Sequence, residues 1–462
     1  MSEIEWPPYL TYLIALSVIL MTLLASKYFT KQKLLGIESG RKILHIVAIV
    51  TCGVVVNLND SRDELACLFI LFSILLWYLV DKNLLIPKVR KSYGIALFPL
   101  AFGILLLSPL SKTSILFAIF TLGLSDALGG IIGLKYGFKK LTFLFEPKSW
   151  LGFSIFYLTT CTIAFWFIGN HPVILILAVL PALSELFSYR GSDNFTIPLV
   201  SAIWYELVAK KTIESSVWIS LTLIICILWL VHRKRWLTPT GLTAALLLAI
   251  AITVPFGPTY LLPMAFFFVL GSLTSKLIPK HKDSSGRDSF QVFANGLTAT
   301  ICFLIFSYTS DMVFLVAYLA SVNISLSDTI SSDIGSYYGK KTYDIITWKI
   351  VERGMSGGVS WLGTFAGIIA ATVFGLFCKQ VFNLAPIQVY LIVLTGVSGM
   401  LIDSVLGSVI QVKYMSKGII TEEFDPDSKV IKGFPCINND GVNLLSNVVT
   451  LLILILYLRF FS

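Results

Sequence analysis

Charge is scarce in this sequence: Asp, Glu, Lys and Arg together make up 13% of the 462 residues. A soluble globular domain has about 25% of these residues, because they cover its surface. Hydrophobic residues make up 56% of the chain, and several apolar runs reach the roughly 20 residues that a helix needs to cross a bilayer. The composition therefore excludes a soluble protein and predicts an all-α polytopic membrane protein.

Several kinds of site are also missing. The chain has four histidines, and its seven cysteines include no CxxC pair, so no zinc or other transition-metal site is indicated. The segment from Gly335 to Thr342 lacks the spacing of a GxxxxGKS or GxxxxGKT phosphate loop, and it follows a membrane helix. The net charge of +9 is not carried by any basic domain. It therefore indicates basic cytoplasmic loops and no nucleic-acid partner.

One segment is present twice. The first copy is Leu124-Ser125-Asp126, followed by Gly133 and Tyr136-Gly137, and the second is Leu326-Ser327-Asp328, followed by Gly335 and Tyr338-Gly339. A basic loop comes next, and a glycine-bearing segment then opens the following apolar run, at 148–152 and 356–360. A carboxylate, small residues and cations at a membrane surface can hold a metal ion and a phosphate chain. The repeat predicts two related membrane domains, residues 1–232 and 233–462.

The apolar runs predict about sixteen transmembrane helices. They lie at residues 9–27, 41–57, 65–81, 93–109, 113–134, 151–169, 172–188, 196–209, 216–232, 238–255, 259–278, 290–308, 312–335, 357–378, 386–411 and 441–459. If the short run 196–209 does not cross, the two Asp-bearing loops face opposite sides of the membrane. If it crosses, the basic loops of both halves are cytoplasmic, as the positive-inside rule requires. We expect this second arrangement, with a cytoplasmic active face in a prokaryotic plasma membrane.

Polar side chains in or near the predicted spans form four sets, although each is costly in a bilayer and needs a partner or a function. The sets are Asp288, Gln291 and Asn295; Asp403 and Gln411; Asp440, Asn443 and Asn447; and Glu185 with Arg190, Asp193 and Asn194. Within the first three sets the spacing places the side chains on one helix face. Interhelical hydrogen bonding explains any one set, but together they predict a polar pocket that opens to the cytoplasm. The acidic run within 413–440 is expected to be a solvated loop.

Asp328 is the strongest candidate for a metal ligand, because Ser331-Ser332-Asp333 adds oxygens close by and Mg²⁺ prefers oxygen ligands. Asp126 is the matching candidate in the first half. The predicted metal ligands are Asp126, Asp328, Asp333, Asp403 and Asp440. Lys148 and Arg353 are candidates for neutralising phosphate charge in the transition state, or are ordinary solvated residues of basic loops.

The first half resembles the membrane polyprenol kinase family, which includes dolichol kinase and phytol kinase. The matching pieces are Arg41–His45, Ser92-Tyr93-Gly94, Ser125-Asp126 with Gly133, Lys148-Ser149 with Gly152, and Glu185 with Asp193-Asn194. The resemblance implies transfer of phosphate to an isoprenoid alcohol, typically from CTP. It also implies phosphate contacts from Gly133, Ser149, Gly152, Asp193 and Asn194. Phytol kinases usually carry a second Asp one turn after the first, and Gly130 takes that place here.

The second half resembles the DUF92 transmembrane family, which contains the plant phytyl-phosphate kinase. The matching pieces are Leu237–Gly241, Gly286-Arg287-Asp288 with Gln291 and Asn295, Ser327–Asp333 with Gly335, Gly357–Ser360 with Gly363, Asp403-Ser404 with Gly407 and Gln411, and Asn438–Asp440 with Asn443. The phosphate contacts that this resemblance implies are Arg287, Asp288, Gln291, Asn295, Ser332, Gly335, Gly357, Gly358, Gln411, Asn439 and Asn443.

The two resemblances together imply consecutive reactions on one lipid. We expect a bifunctional isoprenoid alcohol kinase and isoprenyl-phosphate kinase, with Mg²⁺ as cofactor, CTP as phosphate donor and a phytol-like or geranylgeraniol-like substrate in the membrane. Two alternatives stay open. A cytidylyltransferase of the phosphatidate type would release pyrophosphate where a kinase releases CDP. A transporter could also contain internal repeats, but its polar residues would lie near the membrane midplane.

Overall fold

The computed structural model describes residues 37–58, 61–82, 94–137, 140–141, 148–188, 191–209, 215–277, 286–416, 419–422, 424–425 and 428–461, with a few single positions before residue 29. The predicted span at 9–27 lies almost entirely outside these residues. The chain divides into two compact units, residues 1–213 and 214–462. This division falls one helix before the predicted boundary at residue 232, because the helix Ser215–Arg233 packs on the next helix of the second unit.

In the first unit the described helices are α1 Ile37–Leu58, α2 Arg62–Asp81, α3 Gly94–Leu107, α4 Lys112–Tyr136, α5 Trp150–Ile168, α6 Val173–Leu186 and α7 Asp193–Val208. An antiparallel hairpin, β1 Lys140–Leu141 and β2 Lys148–Ser149, joins α4 to α5. Within α4, Thr121–Asp126 forms a π-helical turn. This widened turn coincides with the Leu-Ser-Asp segment, and such turns are frequent at functional sites.

In the second unit the described helices are α8 Ser215–Arg233, α9 Pro239–Phe256, α10 Leu262–Leu277, α11 Ser289–Thr309, α12 Met312–Tyr338, α13 Trp361–Phe382, α14 Pro386–Val409 and α15 Asn439–Phe461. The hairpin of β3 Tyr343–Asp344 and β4 Gly358–Val359 joins α12 to α13. Between α14 and α15 lies an antiparallel sheet of β5 Lys413–Ser416, β6 Ile419–Thr421 and β7 Lys429–Lys432, with β5 in the middle. The polar segment 413–440 therefore contains a sheet, and Glu422 and Asp425 of its acidic run lie between β6 and β7.

Side-chain caps fix where several helices begin. Ser149, Thr238 and Ser360 each accept a hydrogen bond from the backbone N–H three residues later. Asp288 does the same at the start of α11, where it accepts from the Gln291 N–H at 3.0 Å. Each cap satisfies a donor that the first helical turn leaves without a partner, and stabilises the helix by about 1 kcal/mol.

The helical membrane class is confirmed. Eleven described helices are long and apolar enough to cross a membrane by length and composition, and three shorter apolar helices accompany them; the total of sixteen stays a prediction. The helices that carry the repeat, α4 and α12, are the most buried candidate spans of their units, with 61% and 78% of their apolar windows inside the protein. The polar side chains Ser125, Asp126, Ser327 and Asp333 of these helices are buried in protein, because an unpaired polar group is costly in lipid.

The repeat is real in three dimensions, but its register differs from the prediction. In the first unit Ser149 donates through Oγ to the Gly133 carbonyl at 3.2 Å and caps α5 through Gly152. In the second unit the Ser360 hydroxyl caps α13 and lies 2.9 Å from where a Cβ on Gly335 would be. Ser149-Trp150-Leu151-Gly152 therefore corresponds to Ser360-Trp361-Leu362-Gly363, so Val359 takes the place of Lys148.

Candidate functional site

A polar cavity of about 300 Å³ lies at one end of the second unit. It is bounded by α11, α12, α14, α15 and the loop that ends at β4. The predicted site residues that line it are Arg287, Gln291, Asn295, Asp328, Ser332, Asp333, Gly335, Gly357, Gly358, Asp403, Asn439, Asp440 and Asn443. Side chains that are far apart in the sequence thus converge, as the polar sets of the sequence predicted.

Two carboxylates of this cavity are held by neighbouring hydroxyl and amide groups. Asp333 accepts a hydrogen bond from Ser275 Oγ at 2.6 Å, and Asp403 accepts one from Ser446 Oγ at 2.9 Å. With its amide turned so that both ends are satisfied, Asn443 donates to Asp403 at 3.2 Å. These bonds fix the direction in which each carboxylate presents its remaining lone pairs.

The carboxylates suit a metal ion that arrives with phosphates. Within the described part of the chain, no three His, Cys, Asp or Glu side chains are grouped closely enough to hold a metal by themselves. Mg²⁺ does not need such a group, because it usually takes one or two protein carboxylates and fills its other positions with water and phosphate oxygens. Asp328, Asp333, Asp403 and Asp440 all line the cavity, so they fit this mode of binding.

Arg287 provides the positive charge of the cavity. Its backbone is fixed on both sides, since its N–H donates to the Trp236 carbonyl and its own carbonyl accepts from the Thr238 N–H, both at 3.0 Å. Its guanidinium lies over the Phe267 ring, 5.4 Å from the centroid. Burial lowers the pKa of Arg287 and the charge of Asp333 opposes that effect, but a guanidinium remains protonated in proteins.

Arg353, the predicted counterpart of Lys148 in the second half, does not line the cavity. It is exposed, and its guanidinium donates to the Lys340 carbonyl at 3.3 Å. Among the described residues that line the cavity, Arg287 is the one lysine or arginine. The structure therefore places a different arginine of the predicted set beside the carboxylates.

Asp288 and Gln411 are not among the residues that line the cavity. Asp288 caps the first turn of α11, and it is close enough to Asp440, a cavity residue, for their charges to interact. Gln411 follows the end of α14 at Val409, so the helical spacing from Asp403 does not reach it. It is buried and donates to Glu422 at 3.0 Å.

A loop with two glycines, Ser356–Gly358, forms one wall of the cavity. Gly357 has φ +82°, and a Cβ there would lie 2.5 Å from the Ser408 Cβ, so only glycine fits. Asp344, which the sequence analysis missed, holds the start of this hairpin: it accepts from Ser408 Oγ at 2.6 Å and from the Thr347 N–H at 2.8 Å. No repeated motif marks Asp344, so the sequence offered no signal for it.

The pKa of Asp344 is about 2. Burial raises this pKa, but the hydrogen bonds from Ser408, Thr347 and Ile346 lower it by more. The carboxyl group is therefore ionised at neutral pH and links the hairpin to α14 by charge-assisted hydrogen bonds, which are stronger than neutral ones.

In the first unit, Lys148 is the centre of a second polar group. Its ammonium lies 2.6 Å from Glu185 Oε1 and donates to Ser188 Oγ at 3.0 Å. Burial lowers the pKa of Lys148, but the charge and hydrogen bond of Glu185 and the charges of Asp193 and Asp126 raise it by more. The buried Asp126, at the end of the π-helical turn, is thus close enough to interact with Lys148.

The small residues predicted to contact phosphate in the first unit pack helices together. Gly133, Ser149 and Gly152 meet where α4 passes β2 and α5, and a Cβ on Gly133 would lie 2.9 Å from both Ser149 Oγ and Gly152 Cα. Asp193 and Asn194 begin α7, where Asp193 accepts from the Asn194 N–H at 2.9 Å. The structure thus brings Lys148 and the aspartates together, while the glycines serve close packing.

Comparison with known proteins finds a family match for the second unit. Residues 222–451 match the family described as "Integral membrane protein DUF92". No solved structure matches the chain.

Three relatives illustrate the similarity. An uncharacterized membrane protein of Methanocaldococcus jannaschii is 31% identical over 234 residues, which cover 49% of this chain and 88% of that protein. An uncharacterized membrane protein of Synechocystis sp. is 29% identical over 228 residues, covering 47% and 87%. Protein VTE6, chloroplastic, of Arabidopsis thaliana is 28% identical over 226 residues, covering 46% and 62%. The chain therefore belongs to the DUF92 family of integral membrane proteins.

Proposed function

We propose that the second unit is an isoprenyl-phosphate kinase that uses a nucleoside triphosphate, with CTP as the donor. The observation that carries this proposal is the cavity itself: four aspartates, one arginine and a glycine loop converge at the end of membrane helices. A cavity at that position can receive a phosphate group whose hydrocarbon chain stays in the lipid. The resemblance to a family that contains a phytyl-phosphate kinase, and the match to the DUF92 family, support the same substrate class.

The reaction needs positioning and charge neutralisation more than covalent chemistry by the protein. An oxygen of the isoprenyl phosphate attacks the γ-phosphorus, a new O–P bond forms, and the bond to the bridging oxygen breaks to release CDP. Arg287 would neutralise the phosphate charge and Asn439 would orient phosphate oxygens, since both line the cavity. Asn443 would hold Asp403 in position. Asp328, with other cavity carboxylates, would hold Mg²⁺, which neutralises charge on the phosphates when bound.

We further propose that the first unit phosphorylates the isoprenoid alcohol, so that one chain performs both steps. Its resemblance to the polyprenol kinases and its matching arrangement of Asp126, hairpin and Ser149 support this proposal. Lys148 would act there as the phosphate-binding cation, after exchanging Glu185 for a phosphate oxygen. Both sites would face the cytoplasm, where nucleotides are present.

The experiment uses the full chain in lipid nanodiscs with Mg²⁺ and CTP. Phytol and phytyl phosphate are offered separately, and both the lipid product and the released nucleotide are identified. The proposal predicts phytyl phosphate from the first substrate, phytyl diphosphate from the second, and CDP in both reactions. Release of pyrophosphate with a cytidylyl lipid would instead show a cytidylyltransferase. No transfer from CTP, ATP or GTP to either lipid would reject the kinase and favour a transporter.

A further inference from the structure

The sheet between α14 and α15 contacts the cavity loop through one acidic residue. Glu422 follows β6 directly, and the pairing of Tyr414 with Thr421 brings it beside Lys413 on β5. Its carboxylate accepts from the Ser356 N–H through Oε1 and from the Ser356 hydroxyl through Oε2, both at 2.8 Å. The expected solvated acidic loop is therefore, at this residue, attached to the wall of the cavity.

The same loop residue is held at its other backbone group. Lys413, which is 8% exposed, donates through Nζ to the Ser356 carbonyl at 2.9 Å. Gln411 donates to Glu422 Oε2 at 3.0 Å and so also holds this carboxylate in place. All three polar groups of Ser356 thus bond to Glu422 or Lys413, and both partners carry charge.

The opposite side of the loop is closed by α14. Gly357 packs on Ser408 with no space for a Cβ, and its carbonyl accepts from the Ile345 N–H at 2.9 Å. Glu422, Gln411 and Lys413 do not themselves line the cavity, whereas Ser356, Gly357 and Gly358 do. The sheet therefore acts on the cavity through the loop.

We propose that Glu422 is a positioning residue, which holds the Ser356–Gly358 loop in the conformation that lines the cavity. The loop is then preformed when nucleotide phosphates arrive, and no binding free energy is spent on ordering it. The identity of the ligand rests on the proposed function, but the positioning of the loop does not. Glu422 is thus expected to affect nucleotide binding without touching the nucleotide.

The first test measures hydrogen exchange by mass spectrometry in the full chain, without any ligand. Glu422→Ala removes every bond from position 422 to Ser356, and exchange in peptides covering 354–360 should be about tenfold faster. Glu422→Gln keeps one acceptor and should give an intermediate rate. Glu352→Gln removes a charge from an exposed position of the same hairpin and should leave exchange unchanged. Equal exchange in Glu422→Ala and wild type would overturn the proposal.

Peptides of α13 serve as the control for folding. They should keep wild-type protection in all variants. If Glu422→Ala loses that protection because it fails to fold, Glu422→Gln decides the question, since it keeps the size of the side chain but leaves only one oxygen acceptor for the two Ser356 donors. Faster exchange confined to 354–360 in Glu422→Gln is then the expected result, and unchanged exchange there would overturn the proposal.

The second test separates positioning from a general loss of structure. In the phosphate-transfer assay, Glu422→Ala should raise KM for CTP about tenfold and change kcat by less than about threefold. A role in stability alone would lower the amount of active protein without changing KM, and that result would overturn the proposal. Wild-type protein that transfers no phosphate would overturn the proposed function, while the exchange measurement would still decide the role of Glu422.

Discussion

At the residue scale, the second unit holds two arginines of the predicted site in different surroundings. Arg287 is fixed through its backbone, lies over Phe267 and lines the cavity with the aspartates. Arg353 is exposed on the hairpin, away from that lining. A charge-assisted bond from a fixed, partly buried cation is stronger than one from a solvated cation. The residue that binds phosphate should therefore be Arg287.

Exchange of each arginine for glutamine tests this assignment. Arg287→Gln should reduce kcat/KM for phosphate transfer by about 10- to 100-fold, because a hydrogen bond to a charged group is worth about 1.5–3 kcal/mol. Arg353→Gln removes the same charge from the exposed position and should change kcat/KM by less than about threefold. Steady-state kinetics with CTP as the varied substrate measures both, and a larger loss in Arg353→Gln would contradict the assignment.

Asp344 makes a residue-scale prediction about pH. Its pKa in the folded protein is about 2, below the ordinary value of about 3.9 for an unfolded chain. A lowered pKa stabilises the fold above the unfolded value, and that stabilisation, about 2 kcal/mol, is lost as the pH falls from about 4 to 2. Asp344→Asn should therefore lower the unfolding temperature at pH 7 and weaken its dependence on pH below 4.

Thermal unfolding in detergent, followed from pH 7 to pH 2, measures this effect. Glu352→Gln provides the control, since it removes an exposed carboxylate from the same hairpin and should follow the wild-type curve. An Asp344→Asn protein as stable as wild type at pH 7 would show that Asp344 does not hold the hairpin.

At the element scale, the helices and the connecting hairpins differ in how far the sequence determines them. The span predicted at 312–335 is the helix Met312–Tyr338, because length and apolar content are local properties of a sequence. The hairpin at 343–359 and the sheet at 413–432 were not predicted. Their hydrogen bonds join residues that are distant in the chain, such as Lys413 and Lys432, and no local pattern reports such pairs.

Several residues of the cavity were also predictable from a local property of the sequence. Asp328, Asp403 and Asp440 are rare charges in apolar runs, so the cost of burying them marked them as functional. The helical spacing from Asp403 does not place Gln411, because Gln411 follows its helix, and Asp288 is the cap of its helix and not part of its first turn. The ends of helices are the least certain part of any prediction from periodicity.

The glycine loop gives a prediction at this scale through a pair of alanine variants. Gly357 and Gly354 both have positive φ, at +82° and +84°, but a Cβ on Gly354 would be no closer than 3.8 Å to Ser336. Gly354→Ala should cost only the backbone strain, about 1–2 kcal/mol. Gly357→Ala adds a clash with Ser408 and should cost roughly a further 1–3 kcal/mol.

Unfolding temperatures of the two alanine variants in the same detergent compare these costs. Gly357→Ala should unfold at the lower temperature, and it should also have the higher KM for CTP, because its loop cannot keep its place against α14. Equal unfolding temperatures would mean that the loop moves away from Ser408 at little cost.

At the scale of the whole molecule, the chain contains the same arrangement twice: an Asp-bearing buried helix, a hairpin, and a helix capped by the serine of a Ser-Trp-Leu-Gly segment. The two copies differ in their cations. The first unit has Lys148 paired with Glu185, and the second has Arg287 over Phe267. We propose that these two related sites serve two different acceptors, an alcohol and a phosphate.

The most direct test of this account supplies either phytol or phytyl phosphate to wild type, Asp126→Asn and Asp328→Asn, with CTP labelled at the γ-phosphate. The account predicts that wild type transfers label to both substrates. Asp126→Asn should transfer label only when phytyl phosphate is supplied, and Asp328→Asn only when phytol is supplied. Each lost activity should fall by at least about 100-fold, because the removed carboxylate would hold the Mg²⁺ that neutralises the charge of the nucleotide phosphates. Formation of phytyl diphosphate by Asp328→Asn at the wild-type rate would contradict the account.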